Sequence, residues 1–149
     1  NIKKLPDNLE YLYVNPLFKY DEKLPSKIQK LYNFVNLNII TKSELKNLYT
    51  LKLTIPYYSE HKFDKTHFEI LKSLKIKKLI VTENSHNYMQ NILNNLPNTL
   101  EKLIILANYS KKINVNKFTT SLKYLKYGRK IYDGVKLSNI IKKKLAYFF

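Results

Sequence analysis

Apolar residues, mostly leucine, recur along the whole chain in a unit of the form L-x-x-L-x-(apolar). The first positions of successive units are 19, 20, 28, 24, 22 and 23 residues apart. Self-similarity at periods of roughly 20–50 residues is typical of repeat architectures. The six full units and a partial seventh are Leu9-Leu12-Val14, Ile28-Leu31-Asn33, Leu48-Leu51-Leu53, Ile76-Leu79-Val81, Leu100-Leu103-Ile105, Leu122-Leu125-Tyr127, and Leu145 with Phe148.

Three further registers repeat in step with this unit. A Leu-Pro pair stands before three units, an Asn occupies the ninth position of three, and an apolar residue occupies the tenth position of five. These residues are Leu5-Pro6, Leu24-Pro25 and Leu96-Pro97, then Asn36, Asn84 and Asn108, then Phe18, Leu37, Tyr57, Tyr109 and Ile131. Agreement at several registers makes the repeat specific, which a lone L-x-x-L would not be.

Each unit predicts one short strand. Positions four and six point to one side of the strand, and position one turns to the same side. One unit cannot bury that side alone, so units stack into a continuous parallel sheet. We therefore predict an α/β leucine-rich-repeat solenoid, with a parallel sheet on its concave side and turns or short helices on its convex side. Residues 1–149 form one domain of about seven units, which we expect to be part of a longer chain.

The segments that return from one strand to the next differ between units. The pattern predicts short helices over 67–75 and 88–95, and a weaker one over 138–144. Thr41-x-x-Glu44 and Thr66-x-x-Glu69 have the spacing of a capping box, which begins a helix. The returns of the first two units are short, so we expect turns or extended chain there.

Two of the units resemble the FNIP repeat, a leucine-rich-repeat variant written L-P-x-S-L-x-x-L-x-x-G-x-x-F-N-x-x-I. One runs from Leu96-Pro97-Asn98-Thr99-Leu100 through Leu103, Tyr109 and Ile113, and the other runs from Thr120-Ser121-Leu122 through Leu125, Gly128, Ile131 and Val135. Leu5-Pro6-Asp7-Asn8-Leu9 with Leu12 and Phe18 fits as well. FNIP arrays are typical of A/T-rich amoebal and giant-virus genomes. The resemblance implies a protist or viral protein, in some cases the substrate-recognition part of an F-box adaptor.

The chain carries a formal charge of +16, and all of its basic residues are Lys except Arg129. A/T-rich coding by itself raises Lys, Asn, Ile and Tyr, so the excess has two explanations: coding bias or an anionic partner. Either way, a basic surface attracts nucleic acid and acidic proteins non-specifically. The absence of Cys excludes disulfides and thiolate sites and favours an intracellular location, which would be the host cytoplasm or the virion for a viral protein.

On the predicted fold, positions three and five of each strand face solvent on the concave side. They are Tyr11, Tyr13, Lys30, Tyr32, Thr50, Lys52, Lys78, Ile80, Lys102, Ile104, Tyr124 and Lys126. Rigid aromatic side chains with a charged fringe are common at protein-binding surfaces. We therefore predict that an acidic, partly apolar protein segment docks on this face. The abundance of Lys accounts for the number of lysines here, so the prediction rests on the repeat architecture.

Two other functions stay open. Tyr interleaved with Lys could stack bases, which would make the chain a basic nucleic-acid or anion-binding protein. The apolar segment 145–149 would form an open solenoid end, where self-association could build a virion or another assembly.

No motif arranges a nucleophile, a base or a metal, so we expect neither an enzyme nor a cofactor. The only glycines are Gly128 and Gly134, too few for a phosphate-binding loop. His61 and His67, with Asp64 between them, match no compact metal-ligand spacing and are interpreted as loop or helix-start residues. Lys142-Lys143-Lys144 is interpreted as a solvated helix face, with phosphate or acidic lipid as the alternative ligand. We also expect no membrane span.

Overall fold

The computed structural model describes residues 4–15, 22–34, 36–55, 63–83, 88–106, 118–134 and 137–138. The strands are β1 (Tyr11–Tyr13), β2 (Lys30–Phe34), β3 (Thr50–Ile55), β4 (Lys78–Glu83), β5 (Lys102–Ile105), β6 (Tyr124–Tyr127) and β7 (Lys130–Asp133). The helices are α1 (Leu37–Lys42), α2 (Lys65–Ser73) and α3 (Met89–Asn94). Within these ranges, no helix has both the length and the apolar character that crossing a bilayer requires.

The seven strands form one open sheet in the order of the sequence. Strands β1 to β6 pair in parallel, each with the next along the chain, and β7 pairs with β6 in the antiparallel direction. Each of β1 to β6 begins at the third position of its repeat unit. The predicted α/β class and the parallel pairing of β1 to β6 are therefore confirmed, whereas the antiparallel β7 is an addition to the predicted sheet.

Leucines at the fourth position of the units form a ladder through the sheet. Strand pairing places Leu12, Leu31, Leu51, Leu79, Leu103 and Leu125 side by side in that order. The last five are at most 1% exposed, whereas Leu12 on the first strand is only partly buried. Helices α1, α2 and α3 contribute Leu37, Leu71 and Met89 to the same core. The periodic leucines thus lie where the pattern predicts, between the sheet and the helices.

A repeated set of backbone hydrogen bonds holds the strands in register. In five units the N–H of the first position donates to the carbonyl three residues earlier, at 3.1–3.3 Å, and three of these carbonyls belong to proline. The carbonyl of the second position then accepts two N–H groups from the following unit, at 2.8–3.1 Å, in all five steps from β1 to β6. A slip by one residue would break both contacts and turn the leucines outward.

The helices differ from the predicted ones at their ends. Helix α3 lies within the predicted range 88–95, and α2 begins two residues before the predicted range 67–75. The second unit has the six-residue helix α1 where we predicted a turn or extended return, so that prediction is wrong. The segments predicted as the first return and as most of the helix 138–144 lie outside the described residues.

Neither predicted capping box forms. Thr41 lies near the end of α1, where its carbonyl accepts the N–H of Glu44 at 3.2 Å. Glu44 follows the helix with a φ of 52°, the left-handed conformation that commonly ends helices. At α2 the box is formed by Asp64 and His67 instead of Thr66 and Glu69. The capping-box spacing of Thr66 and Glu69 therefore fell in the segment where α2 begins, whereas that of Thr41 and Glu44 fell at the end of α1 instead of at a helix start.

A tight hairpin joins β6 to β7. Tyr127 pairs with Lys130, which leaves Gly128 and Arg129 as a two-residue loop. Gly128 has a φ of 55°, and a positive φ at the first central position is what a type II′ turn requires. Tyr132 pairs with Leu125 and is buried at 6% exposure, which raises the pKa of its hydroxyl. The antiparallel β7 was not predicted, and the predicted seventh unit lies outside the described residues.

Strand β2 contains a bulge. Leu31 pairs with Leu51, but Phe34 pairs with Leu53, so β2 has one extra residue. Asn33, within this bulge, adopts a left-handed φ of 57° and is 6% exposed. Its side-chain oxygen accepts a hydrogen bond from the Thr54 hydroxyl at 3.2 Å. The bulge explains why the sixth position of this unit carries a polar residue in place of an apolar one.

Candidate binding face

The side of the sheet opposite the leucine ladder is called the outer face here and consists of positions three and five of β1 to β6. Its members are the twelve predicted residues. Position three gives the column Tyr11, Lys30, Thr50, Lys78, Lys102 and Tyr124, paired strand to strand. Position five gives the column Tyr13, Tyr32, Lys52, Ile80, Ile104 and Lys126, which the β2 bulge interrupts between Tyr32 and Lys52.

Exposure varies along the outer face. Tyr11 and Tyr13, on the first strand, are 53% and 71% exposed, and the residues of the inner strands are partly buried by their neighbours. Thr50 is the exception, because only 2% of it is exposed. Its short side chain stands between those of Lys30 and Lys78 on the adjacent strands, which accounts for its burial. The prediction that Thr50 meets solvent is therefore wrong.

Two lysines of the outer face lie over tyrosine rings on adjacent strands. The Lys30 ammonium is 4.7 Å from the centre of the Tyr11 ring, and the Lys102 ammonium is 4.2 Å from the centre of the Tyr124 ring. Attraction between a cation and the ring face holds each pair together without neutralising the charge. Both lysines therefore keep their charge for an anionic ligand.

The hairpin adds two residues that the sequence analysis did not assign to this face. Ile131 pairs with Lys126 and is 49% exposed, and Asp133 pairs with Tyr124 and is also exposed. By the repeat register Ile131 occupies the tenth position of a unit, although it lies in strand β7. A glycine at the first position of a two-residue loop, flanked by alternating apolar residues, is the signal that could have identified this strand.

A second group that the sequence analysis missed lies at position two, directly before the strands. Glu101 accepts from the Lys77 ammonium at 2.8 Å and from the Lys123 ammonium at 3.0 Å. The hydrogen bond from Lys77, followed by that from Lys123, holds the pKa of the Glu101 carboxyl below its ordinary value. The three residues occupy position two of successive units, so the repeat register could have predicted that they lie side by side. The Glu101 carboxylate thus engages both ammonium groups and offsets one of their two charges.

Hydroxyl side chains immediately before position one tie successive units together. Thr99 donates to the carbonyl of Ile76 at 2.9 Å, and Ser121 donates to the carbonyl of Leu100 at 2.7 Å. These carbonyls belong to position one of the preceding unit, whose strand pairing begins one residue later. The hydroxyl therefore satisfies a backbone acceptor that the sheet leaves open.

On the helix side, the candidates Asp64 and His67 form the capping box of α2. Asp64 accepts the backbone N–H of His67 at 3.1 Å and contacts its Nδ1 at 2.8 Å. These hydrogen bonds lower the pKa of the Asp64 carboxyl. An open cleft of about 370 Å³ lies beside Asp64 and Phe68, and the one ion pair in its lining joins Lys65 to Glu69 at 3.8 Å.

Across the described ranges, no group of three His, Cys, Asp or Glu residues is placed to hold a metal ion. Other candidates named from the sequence lie outside those ranges. They are His61 and Lys142 to Lys144.

No protein-family model, curated protein or solved structure matches this chain. The resemblance to the FNIP repeat thus stays a prediction from the residues.

Proposed function

We propose that the chain is a non-catalytic protein-binding module, built as a leucine-rich-repeat solenoid, that binds an acidic partner through its outer face. One observation carries this proposal: six parallel strands present lysine, tyrosine and isoleucine side chains in two columns that contain no acidic residue, although Asp133 of the hairpin lies beside them. A rigid sheet holds such side chains in place before a partner arrives, which lowers the entropy lost on binding.

Three features support the solenoid. The six strands follow one another in sequence order, the fourth-position leucines pair from strand to strand, and at each of the five steps the second-position carbonyl accepts two N–H groups from the next unit. Each unit thereby buries its apolar side against its neighbours, as repeat proteins do.

A protein partner accounts for the composition of the outer face better than a nucleic acid does. Apolar and aromatic side chains beside the lysines match a partner with both carboxylate and apolar groups. Nucleic-acid readout favours Arg, whose planar fork binds phosphate and base edges in pairs of hydrogen bonds, and the single Arg129 lies in the hairpin loop. The cation–ring pairs Lys30–Tyr11 and Lys102–Tyr124 are the feature that would serve stacked bases instead.

Peptides selected from a random-sequence display library on the immobilised chain would test the proposal. The selected peptides are then measured against a face variant, Lys78→Gln/Lys102→Gln, and a control variant, Lys27→Gln/Lys46→Gln. Both variants lose two charges, but the control residues lie in exposed turns outside the outer face. We expect acidic peptides that bind the control variant like the unmodified chain and bind the face variant about tenfold more weakly.

A parallel titration with a single-stranded oligonucleotide separates the second candidate. Nucleic-acid binding loses affinity steeply with salt because bound counterions are released. Peptides that bind both variants equally, together with salt-sensitive oligonucleotide binding that the face variant lacks, would reject the protein-binding function in favour of nucleic-acid binding.

A further inference from the structure

An apolar pair surrounded by lysines lies at the centre of the outer face. Ile80 on β4 and Ile104 on β5 are direct neighbours. Lys52 flanks Ile80 on β3, and Lys126 flanks Ile104 on β6. Lys78 and Lys102 stand two residues earlier on the two central strands and therefore on the same side of the sheet. These six residues are named the isoleucine–lysine patch.

The four lysines of the patch have no carboxylate partner among the residues that the structure describes. Ion pairs are formed there by Lys4, Lys65, Lys77 and Lys123. Glu101, the nearest acid in sequence to Lys102, is engaged by Lys77 and Lys123. Within the patch, only Lys102 has a described electrostatic contact, with the neutral Tyr124 ring. The four charges are thus available to an external anion.

The spacing of the patch selects one kind of anion. From Lys52 on β3 to Lys126 on β6 there are three strand-to-strand steps, about 14 Å in all at about 4.8 Å each. In an extended peptide, alternate side chains share a face, and four residues advance about 13–14 Å. A peptide that crosses the strands can therefore place a carboxylate at each end of this distance and an apolar side chain midway, over Ile80 and Ile104.

We propose that the isoleucine–lysine patch binds an extended protein segment of the pattern acid-x-apolar-x-acid, which runs across β3 to β6. The two carboxylates pair with the lysine groups at its ends, and the apolar residue covers the isoleucine pair. This inference rests on the proposed protein-binding function and specifies its ligand. A nucleic acid fits the patch less well, because the aliphatic centre of the patch offers no aromatic ring on which a base could stack.

The test uses the full 149-residue chain, labelled with ¹⁵N and titrated at low salt with short peptides while its amide signals are followed by NMR. The patterned probe is Gly-Glu-Ser-Leu-Ser-Glu-Gly. A rearranged probe of the same composition, Gly-Glu-Glu-Leu-Ser-Ser-Gly, keeps the charge but loses the spacing. A third probe replaces the leucine by serine. We expect the patterned probe to bind about tenfold more tightly than either of the others and to shift signals of β3 to β6.

Variants of the chain test separately whether the lysines bind the two acidic residues of the probe and whether the isoleucines bind its leucine. Lys52→Gln/Lys126→Gln should weaken the patterned probe about tenfold, and the control Lys27→Gln/Lys46→Gln should weaken it less than about twofold. Ile80→Thr/Ile104→Thr keeps branched side chains in the strands and should abolish the preference for leucine over serine. Circular dichroism of every variant establishes that it folds like the unmodified chain.

The outcomes separate this inference from the function on which it rests. Equal binding of the patterned and rearranged probes at the outer face overturns the pattern and leaves an acidic partner in place. Binding of neither probe, with peptides from the display selection that bind away from the outer face, overturns both. Equal effects of the face and control lysine variants also overturn the patch.

Discussion

At the scale of single residues, Asp64 caps the N-terminus of helix α2. Its carboxylate accepts the His67 N–H at 3.1 Å, and the His67 side chain lies within 2.8 Å of the same oxygen. Asp64→Ala removes this cap, so we expect the melting temperature to fall by about 2–4 °C. Glu69→Ala, which removes an exposed residue of the same helix, should change it less. A larger loss for Glu69→Ala would contradict the role of the cap.

The cap also has a pH dependence. Hydrogen bonds from His67 lower the pKa of the Asp64 carboxyl in the folded chain relative to the unfolded one. The stabilisation from the carboxylate is then complete above the unfolded pKa of about 4 and disappears as the pH falls through the lower folded pKa. The difference in melting temperature between the unmodified chain and Asp64→Ala should therefore shrink below about pH 4. A difference that grows with acid would refute this assignment.

The hydroxyl of Ser121 links two units through the carbonyl of Leu100 at 2.7 Å. Ser121→Ala leaves that acceptor without its donor, and we expect the free energy of unfolding to fall by about 1 kcal/mol. Urea unfolding measures the loss. The neighbouring Thr120 is exposed in the same turn, and Thr120→Ala should have little effect. Equal effects of the two substitutions would mean that the hydrogen bond contributes nothing beyond turn propensity.

At the scale of elements, β2 departs from the repeat pattern, because its bulge gives the sixth position a left-handed backbone conformation. An apolar residue at position 33 would match the other units, but the backbone there has a φ of 57°. A β-branched residue is strained in this conformation, so we expect Asn33→Val to lower the free energy of unfolding by about 2 kcal/mol. Asn33→Gly keeps the conformation accessible and should lose less. A more stable Asn33→Val would show that the bulge is not required.

The β6–β7 hairpin requires Gly128 because of its backbone conformation, and not because a side chain would lack room there. A Cβ on Gly128 would meet no atom within 4 Å, yet its φ is 55°. Gly128→Ala should therefore lower the free energy of unfolding by about 1 kcal/mol through backbone strain alone, as measured in urea. Gly128→Asn, which tolerates the left-handed region, should recover part of the loss. Equal stability of the alanine variant would argue against the hairpin.

At the scale of the whole molecule, burial increases from the first strand toward the centre of the sheet. Leu79 has a strand on each side and is fully buried, whereas Leu12 has a paired strand on one side only within the described residues and is partly buried. Leu79→Ala should lower the free energy of unfolding by about 2–5 kcal/mol, and Leu12→Ala by about 1 kcal/mol. Urea unfolding compares them. Equal losses would mean that β1 is as well packed as the centre.

The charge of the molecule is organised by the same stacking. Each unit contributes one rung, so lysines at equivalent positions come to lie on adjacent strands, as Lys78 and Lys102 do. Position-two side chains of successive units are brought together in the same way, and Glu101 forms ion pairs with Lys77 and Lys123. The repeat therefore places ion-paired lysines directly before the strands and places lysines without a described carboxylate partner on the outer face.

The repeat by itself determined the six parallel strands, their starting residues and the inward leucines. It did so because a unit with apolar residues on one side has to stack on its neighbours to bury them. The same register assigned the outer-face residues, since alternation within a strand depends only on local geometry. These features need no knowledge of which residues meet across the fold.

Only the tertiary structure decided the remaining features. The burial of Thr50 and the left-handed Asn33 each depend on groups from another unit, whereas the direction of β7 follows from the two-residue loop at Gly128 within its own unit. The Asp64–His67 cap and the Lys77–Glu101–Lys123 group likewise depend on which polar atoms come within hydrogen-bonding distance. Hydrophobic periodicity specifies where a strand lies and which side it buries, but hydrogen bonds, bulges and charge pairs are set by distances of a few ångströms between particular atoms, within a unit or between units.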